Sequence, residues 1–494
     1  LSLDAIDLQV VTGALRAACE EMGATLIRSA HSANIKERRD CSTGLFDAAG
    51  EMVMQAEHIP VHLGAMPAAV AAVLGEDHAA GRPWILNDPY RGGTHLPDIT
   101  VITPVLHDGG QLLGFAASRA HHADVGGRVP GSMPADSTTL GEEGVVIAPR
   151  ILDDAAIEVL SSQMRQPDQR RADLRAQLAA NRVGATRLTE LAERLGIDAL
   201  HEATAAVLDY AERRTRACIA ALPDGPREAR DVLEAIGGDL ELRLTATVDG
   251  DRLILDFSGS AAQDPGNLNC PLAVTRSAAY FAVRVLTDPD VPPSAGAYRP
   301  IEVRAPEGTL LNARSPAAVA AGNVETSSRV ADLVLAAFGR ALGQGTMNNL
   351  TLGTEDFTYY ETLGGGQGAC PDADGPSAVH VAMSNTLNTP VEALELEFPL
   401  RVTRYEIRRG SGGAGAHHGG DGVVRELEAL APMAYSLITE RRRHAPPGAA
   451  GGEPGATGRN LLNGEDLPAK ATGELRAGDR LAIQTPGGGG HGAP

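Results

Sequence analysis

Apolar side chains return at helical intervals near the start of the chain, at Ile6, Leu8, Val11, Leu15, Met22 and Leu26. This spacing predicts a long amphipathic helix over 3–30 with Ser2 as its N-cap. From residue 38 the pattern shortens to β-forming runs split by the turn "DAAGE", and "AMPAAVAAVLG" (65–75) reads as a helix again. Two alternating runs, 99–106 and 111–119, flank "HDGG" and predict a β-hairpin. Residues 154–222 carry helical periodicity with many charges, giving two or three antiparallel helices with a solvated face. Strand-like alternation then takes over in "LELRLTATVDGDRLILDFSGS", a hairpin turning at Asp249-Gly250. Helices at about 272–287 and 324–342 follow, and residues 364–492 are glycine-rich with short strands.

These elements describe an α+β chain of mixed sheets with a helical segment around 154–222. Its 494 residues exceed what one core organises, so two regions are expected, 1–230 and 231–494, the second ending in a glycine-rich tail. No repeat at a solenoid or propeller period is present.

Charge narrows the partners. A formal net charge of -20 repels nucleic acid and anionic membranes, leaving small molecules or another protein. Five cysteines without a CxxC pair read as free thiols in a reducing compartment. No apolar run reaches the roughly 18 residues of a membrane span, and the expected location is cytoplasmic.

The chemistry concentrates in residues 87–127, "NDPYRGGTHLPDITVITPVLHDGGQLLGFAASRAHHADVGG", which hold four histidines. If "HDGG" is the turn, paired positions sum to about 217. Asp98 then faces Arg119, Leu96 faces His121 and His95 faces His122. Cross-strand partners share a face and alternate residues return to it, so Asp98 and His121 lie on one side. His121 is therefore favoured over His122, and a slip of one residue reverses the choice. Two imidazoles and a carboxylate on a proline-stiffened hairpin suit zinc, manganese or iron better than magnesium or calcium. Asp40, after two arginines in "ERRDCS", is a candidate fourth ligand that only tertiary folding brings near. The competing reading is a set of hydrogen-bonded structural histidines.

Other motifs carry less. His58 and His62 in "HIPVHLG" are candidate bases or substrate contacts. "GGRVPGS", with Gly126, Gly127, Gly131 and Ser132, has the look of an anion-holding loop but lacks a Walker lysine. No Gly-x-Ser-x-Gly elbow occurs. The glycines of "TPGGGGHG" and "RRGSGGAGAHHGGDG" suit either close backbone approach or a flexible tail.

As a set, "ERRDCSTGLFDAAGEMVMQAEHIPVHLGAM", "NDPYRGGTHLPDITVITPV", "SRAHHADVGGRVPGSMPADSTTLGEEGVVIAPRIL", "NVETSSRVADLVLAAFG" and the ending "IQTPGGGGHG" resemble the hydantoinase B/oxoprolinase family, in consistent order along the chain. The resemblance implies the B subunit of an ATP-dependent cyclic amidohydrolase acting on a hydantoin, 5-oxoproline or a related lactam. A hydantoinase A-type ATPase subunit would bind ATP and phosphorylate the substrate. This chain would supply metal-activated water, in a hetero-oligomer. It also implies Asp40, His95, Asp98 and His121 as ligands, with His122 the alternative, and leaves ATP to the partner. Glu143 of "GEEG" and His58 or His62 are the candidates for proton transfer. "CSTG" and the histidines of "GAGAHHGG" depart from commoner family residues without removing a ligand. The alternatives are a subunit of a biotin-independent, ATP-dependent ketone carboxylase and a non-catalytic scaffold for the ATPase.

Overall fold

The computed structural model of the chain describes residues 4–57, without the Glu57 side chain, and 59–78, 81–108 and 110–494. The first helix runs Ala5–Ser29. Ser2 lies outside the described residues, and Asp4 caps this helix: its carboxylate accepts from the Ile6 and Asp7 amides at 2.8 Å.

A six-stranded sheet follows, in the order β2-β1-β5-β4-β3-β6. Its strands are β1 (Cys41–Asp47), β2 (Met52–Glu57), β3 (Trp84–Leu86), β4 (Asp98–Leu106), β5 (Leu112–His121) and β6 (Arg150–Ile151). The central pair is the predicted hairpin, but its register differs. Val105 pairs with Gly114 and Leu106 with Leu112, so a bulge at Leu113 and a tighter turn move the sum to 219. Asp98 therefore faces His121 directly, and Arg119 faces Thr100. A shift of two residues preserves the face of every side chain, which is why the preference for His121 survives the register error.

The predicted helical segment consists of Asp154–Ser161, Pro167–Leu195 and Ile197–Ala220. The first helix and Pro167–Leu195 cover one face of the sheet, where Leu15, Met22 and Leu26 pack with Leu45, Ala116 and Ala120. Burying each such large side chain is worth roughly 1.5–3 kcal/mol. Gly184 sits mid-helix despite its poor propensity because a Cβ there would lie 2.4 Å from the Met22 sulfur. Gln177 reaches down to the carbonyls of Ile99 and Ser118, and Asn181 to that of Val101, locking the helix to the hairpin.

The other face of the sheet, including Phe115 and Ala117, shares a core with residues from the second half of the chain. There β7 (Gly225–Ala235), β8 (Gly238–Asp249), β9 (Arg252–Asp256) and β10 (Ile301–Arg304) form one sheet. The helix expected at 272–287 is Leu272–Leu286, and that expected at 324–342 is a π-helical turn, Gly322–Thr326, leading into Ser327–Ala337. A third sheet joins β11 (Asn349–Gly353) and β12 (Thr358–Glu361) to β15 (Met433–Ile438) and β18 (Lys470–Leu475). The fourth contains β13 (Leu400–Arg408), β14 (Gly422–Ala429), β16 (Arg459–Leu462), β17 (Glu465–Leu467) and β19 (Arg480–Gln484).

The glycine-rich ending is not a flexible tail. Gly487 to Gly490 are buried, and the amides of Gly487, Gly488 and Gly490 bond to the Ala456, Gly420 and Glu453 carbonyls. A Cβ on Gly487 would stand 1.9 Å from the Ser411 carbonyl oxygen, so only glycine permits the approach. Among the described residues, no helix is long and apolar enough to cross a membrane.

Candidate metal centre

Strand pairing brings His121 opposite Asp98, and a tight turn, with the Asp98 amide bonded to the His95 carbonyl, folds His95 over the same carboxylate. Asp98 Oδ1 lies 3.2 Å from His95 Nε2 and 3.3 Å from His121 Nδ1, and the two nitrogens are 3.2 Å apart. All three residues are buried. Donor atoms about 2.0–2.1 Å from a tetrahedral divalent ion stand about 3.3–3.4 Å apart, so this triangle fits one face of such an ion's shell. The opposite nitrogens, His95 Nδ1 and His121 Nε2, have no hydrogen-bond partner.

The surroundings hold the carboxylate in place. The Thr94 hydroxyl donates to Asp98 Oδ2 at 2.6 Å, and His62 Nε2 stands 3.6 Å from the same oxygen. His62 is itself oriented through Nδ1 by the Ser42 hydroxyl at 2.9 Å. Burial works against ionised Asp98, but the histidines outweigh it and hold its carboxyl well below the usual range. Burial lowers the His121 pKa, favouring the neutral imidazole that a metal requires. The His121 ring stacks on Tyr360 at 4.6 Å, and the Arg38 guanidinium covers the far side of that ring.

Asp40 lines the same small cavity, of about 30 Å³, but lies outside the tight triangle of donors. Its carbonyl accepts from the His121 amide at 3.0 Å, tying β1 to the hairpin end. His122 points the other way: Nε2 meets Gln177 Oε1 at 3.0 Å beneath the covering helix, and burial pushes its pKa down to about 4. Glu143 accepts from the Val319 and Ala320 amides and the Ser137 hydroxyl, and burial raises its pKa to about 7. It senses the charge of His95 without a hydrogen bond to it. The 126–132 loop is occupied from within, since Asp124 accepts from Gly126 and Gly131, and Ser132 from Gly127. His58 lies outside the described residues.

The second half of the chain supplies walls that local sequence patterns did not reveal: Asn323, Val324, Met347, Tyr360 and residues 383–386. Thr94 was legible, standing in the same "THLPD" stretch as two of the donors.

The family model for hydantoinase B/oxoprolinase matches residues 4–494. The chain belongs to the hydantoinase B/oxoprolinase family. Among curated relatives, 5-oxoprolinase 1 of Arabidopsis thaliana is 40% identical, the match covering 99% of this chain and 42% of that protein. The chain thus spans about two fifths of the length of the 5-oxoprolinases it matches. The crystal structure of an ATP-dependent caprolactamase from Pseudomonas jessenii superposes with a TM-score of 0.92 at 29% identity, covering 100% of this chain and 92% of that one. Nucleotide-free acetone carboxylase shares the fold, with a TM-score of 0.87 at 19% identity over 98% of this chain and 75% of that one.

Proposed function

We propose that this chain is the metal-bearing B subunit of an ATP-dependent cyclic amidohydrolase, opening a hydantoin, 5-oxoproline or related lactam ring. The observation that carries the reading is the buried triangle of His95 Nε2, Asp98 Oδ1 and His121 Nδ1. Similarity to proteins named 5-oxoprolinase and caprolactamase supports the substrate class. Asp40, on the wall of the same cavity, is the proposed fourth ligand.

A zinc, manganese or iron ion held there supplies Lewis acidity and brings the pKa of water toward neutrality. The residues of the chain do the rest. Thr94 and His62 fix Asp98 so that its other oxygen stays aimed at the imidazoles. Tyr360 fixes the plane of His121. Val61, Val324 and Met347 keep the cavity dry on one side, which strengthens electrostatic interactions within it. A cavity of about 30 Å³ admits a water-sized guest, so entry of a ring requires its lining to move outward. ATP binding and phosphorylation of the amide oxygen belong, on this reading, to a hydantoinase A-type subunit in a heteromer.

The test is turnover by the chain combined with that subunit and ATP, offering hydantoin, 5-oxoproline and caprolactam in parallel with ketone plus bicarbonate. Ring opening that disappears in Asp98→Ala is the expected result. Carboxylation without ring opening transfers the protein to the carboxylase reading. Full ring opening by Asp98→Ala removes the triangle from the mechanism.

A further inference from the structure

We propose that Arg38, with the hydroxyls of Thr362 and Thr386, forms the subsite that holds the phosphoryl group of the activated substrate beside the donor triangle. This deepens the amidohydrolase reading and rests on it.

That reading makes the guest an anion. Phosphorylation of the amide oxygen leaves the ring nitrogen without its hydrogen and adds a group of about two negative charges at neutral pH. A buried site that receives such a group needs a cation and hydrogen-bond donors. The cavity lining includes no lysine or arginine among the described residues, so the cation has to stand behind it.

Arg38 stands there, fully buried. Its Nη1 donates to the Tyr360 carbonyl at 3.1 Å, and its Nη2 to the hydroxyls of Thr362 at 3.0 Å and Thr386 at 3.3 Å. Tyr360, Thr362 and Thr386 all line the cavity. Arg38 Nε is buried without a hydrogen-bond partner. No carboxylate pairs with Arg38 among the described residues, whereas the buried Arg170, Arg329 and Arg425 pair with Asp173, Asp231 and Glu361. Arg119 also lacks such a partner, but its bonds go to Thr100, Ala65 and Gly92, which are not part of the cavity lining. A buried guanidinium without counter-charge is costly, and an incoming anion offsets that cost.

The hydroxyls complete the cradle. Thr362 and Thr386 lie 2.6 Å apart, so one of their two protons sits between them while Arg38 donates to both oxygens. The second proton has no acceptor among the described residues and is left for a guest. The charge of Arg38 is felt on this side of the cavity: burial and, after it, Arg38 lower the pKa of His380, partner of the lining Ser384, to about 4. A divalent ion in the triangle balances Asp98 and Asp40, which leaves Arg38 as the unmatched charge for the phosphoryl group.

Isothermal titration calorimetry on the metal-loaded chain tests this with inorganic phosphate and acetate as probes. The parent is expected to prefer phosphate. Arg38→Met, with unchanged metal content, is expected to bind phosphate about tenfold more weakly or worse, and Thr386→Val, which keeps the charge, about threefold more weakly. No phosphate binding by the parent, acetate bound as tightly as phosphate, or undiminished phosphate binding in metal-loaded Arg38→Met overturns the assignment. Where Arg38→Met fails to fold, Thr386→Val decides, and parental affinity there overturns the subsite. Assays with the ATPase subunit separate this from the parent reading. Ring opening by the parent with undiminished phosphate binding in Arg38→Met sinks Arg38 alone. Phosphate binding that depends on Arg38, without ring opening of any lactam, supports the subsite and sinks the hydrolase.

Discussion

Two buried aspartates stand near the ends of one short segment, and they are used in opposite ways. Asp124 is saturated by donors: the Gly126 and Gly131 amides at 2.7 and 2.8 Å, and Arg165 through a 3.2 Å ion pair. Asp98 has one oxygen held by Thr94, while the other faces two imidazole nitrogens whose far sides have no partner. Both residues are almost wholly buried, so burial does not separate them. What separates them is what their neighbours offer. A carboxylate ringed by N–H donors is a finished structural joint, whereas one that shares its space with imidazole nitrogens is of the kind a divalent cation can bind.

The largest effect expected from this difference is at Asp98. Asp98→Asn or His121→Ala should abolish bound divalent metal by elemental analysis of untagged protein, and chelation should lower the unfolding midpoint of the parent but not of these variants. Metal retained at the parental level would make the two aspartates equivalent. Asp124→Ala should leave metal content intact and cost about 2 kcal/mol in denaturant unfolding, because the Gly126 and Gly131 amides lose their acceptor while Arg165 keeps Glu355. A smaller cost, about 1 kcal/mol, is expected for His122→Ala, again with metal retained, since this ring has one hydrogen bond to Gln177.

A pH-dependent effect is expected at Glu143. Its pKa rises from the ordinary 4.5 to about 7 in the folded protein, so the folded state keeps a proton that the unfolded chain releases between those values. Its contribution to stability is complete below about pH 4.5, falls as pH rises to about 7, and is flat above. Glu143→Gln should flatten that part of the stability profile, measured by urea midpoints across the range. An unchanged slope would place the titration elsewhere.

Much of this was legible in the chain because it depends on local rules. Strand alternation put Asp98 and His121 on one face and His122 on the other, and that parity held even though a tighter turn and a bulge at Leu113 together moved the register by two. The spacing of His95 and Asp98 across Pro97 placed both at one turn. The register itself was not legible, because a bulge depends on how both strands twist against β1 and the covering helix. The anion loop failed for a related reason: its glycines had the right spacing, but Asp124 had already taken their amides.

By itself, then, the sequence determined the periodicities, the hairpin and the shared face of Asp98 and His121, since these follow from side-chain alternation and turn chemistry over a few residues. Tertiary structure alone decided the rest of the site. Asp40 arrives by β1 pairing with β5, Tyr360 by a strand more than two hundred residues away, and Asn323 by a π-helical turn pressed against the Asn269 carbonyl. The C-terminal glycines, equally compatible with disorder in sequence, became a buried layer because several extended segments approach closer than any Cβ allows. Contacts of that range are chosen by the packing of whole faces, a quantity that no local pattern records.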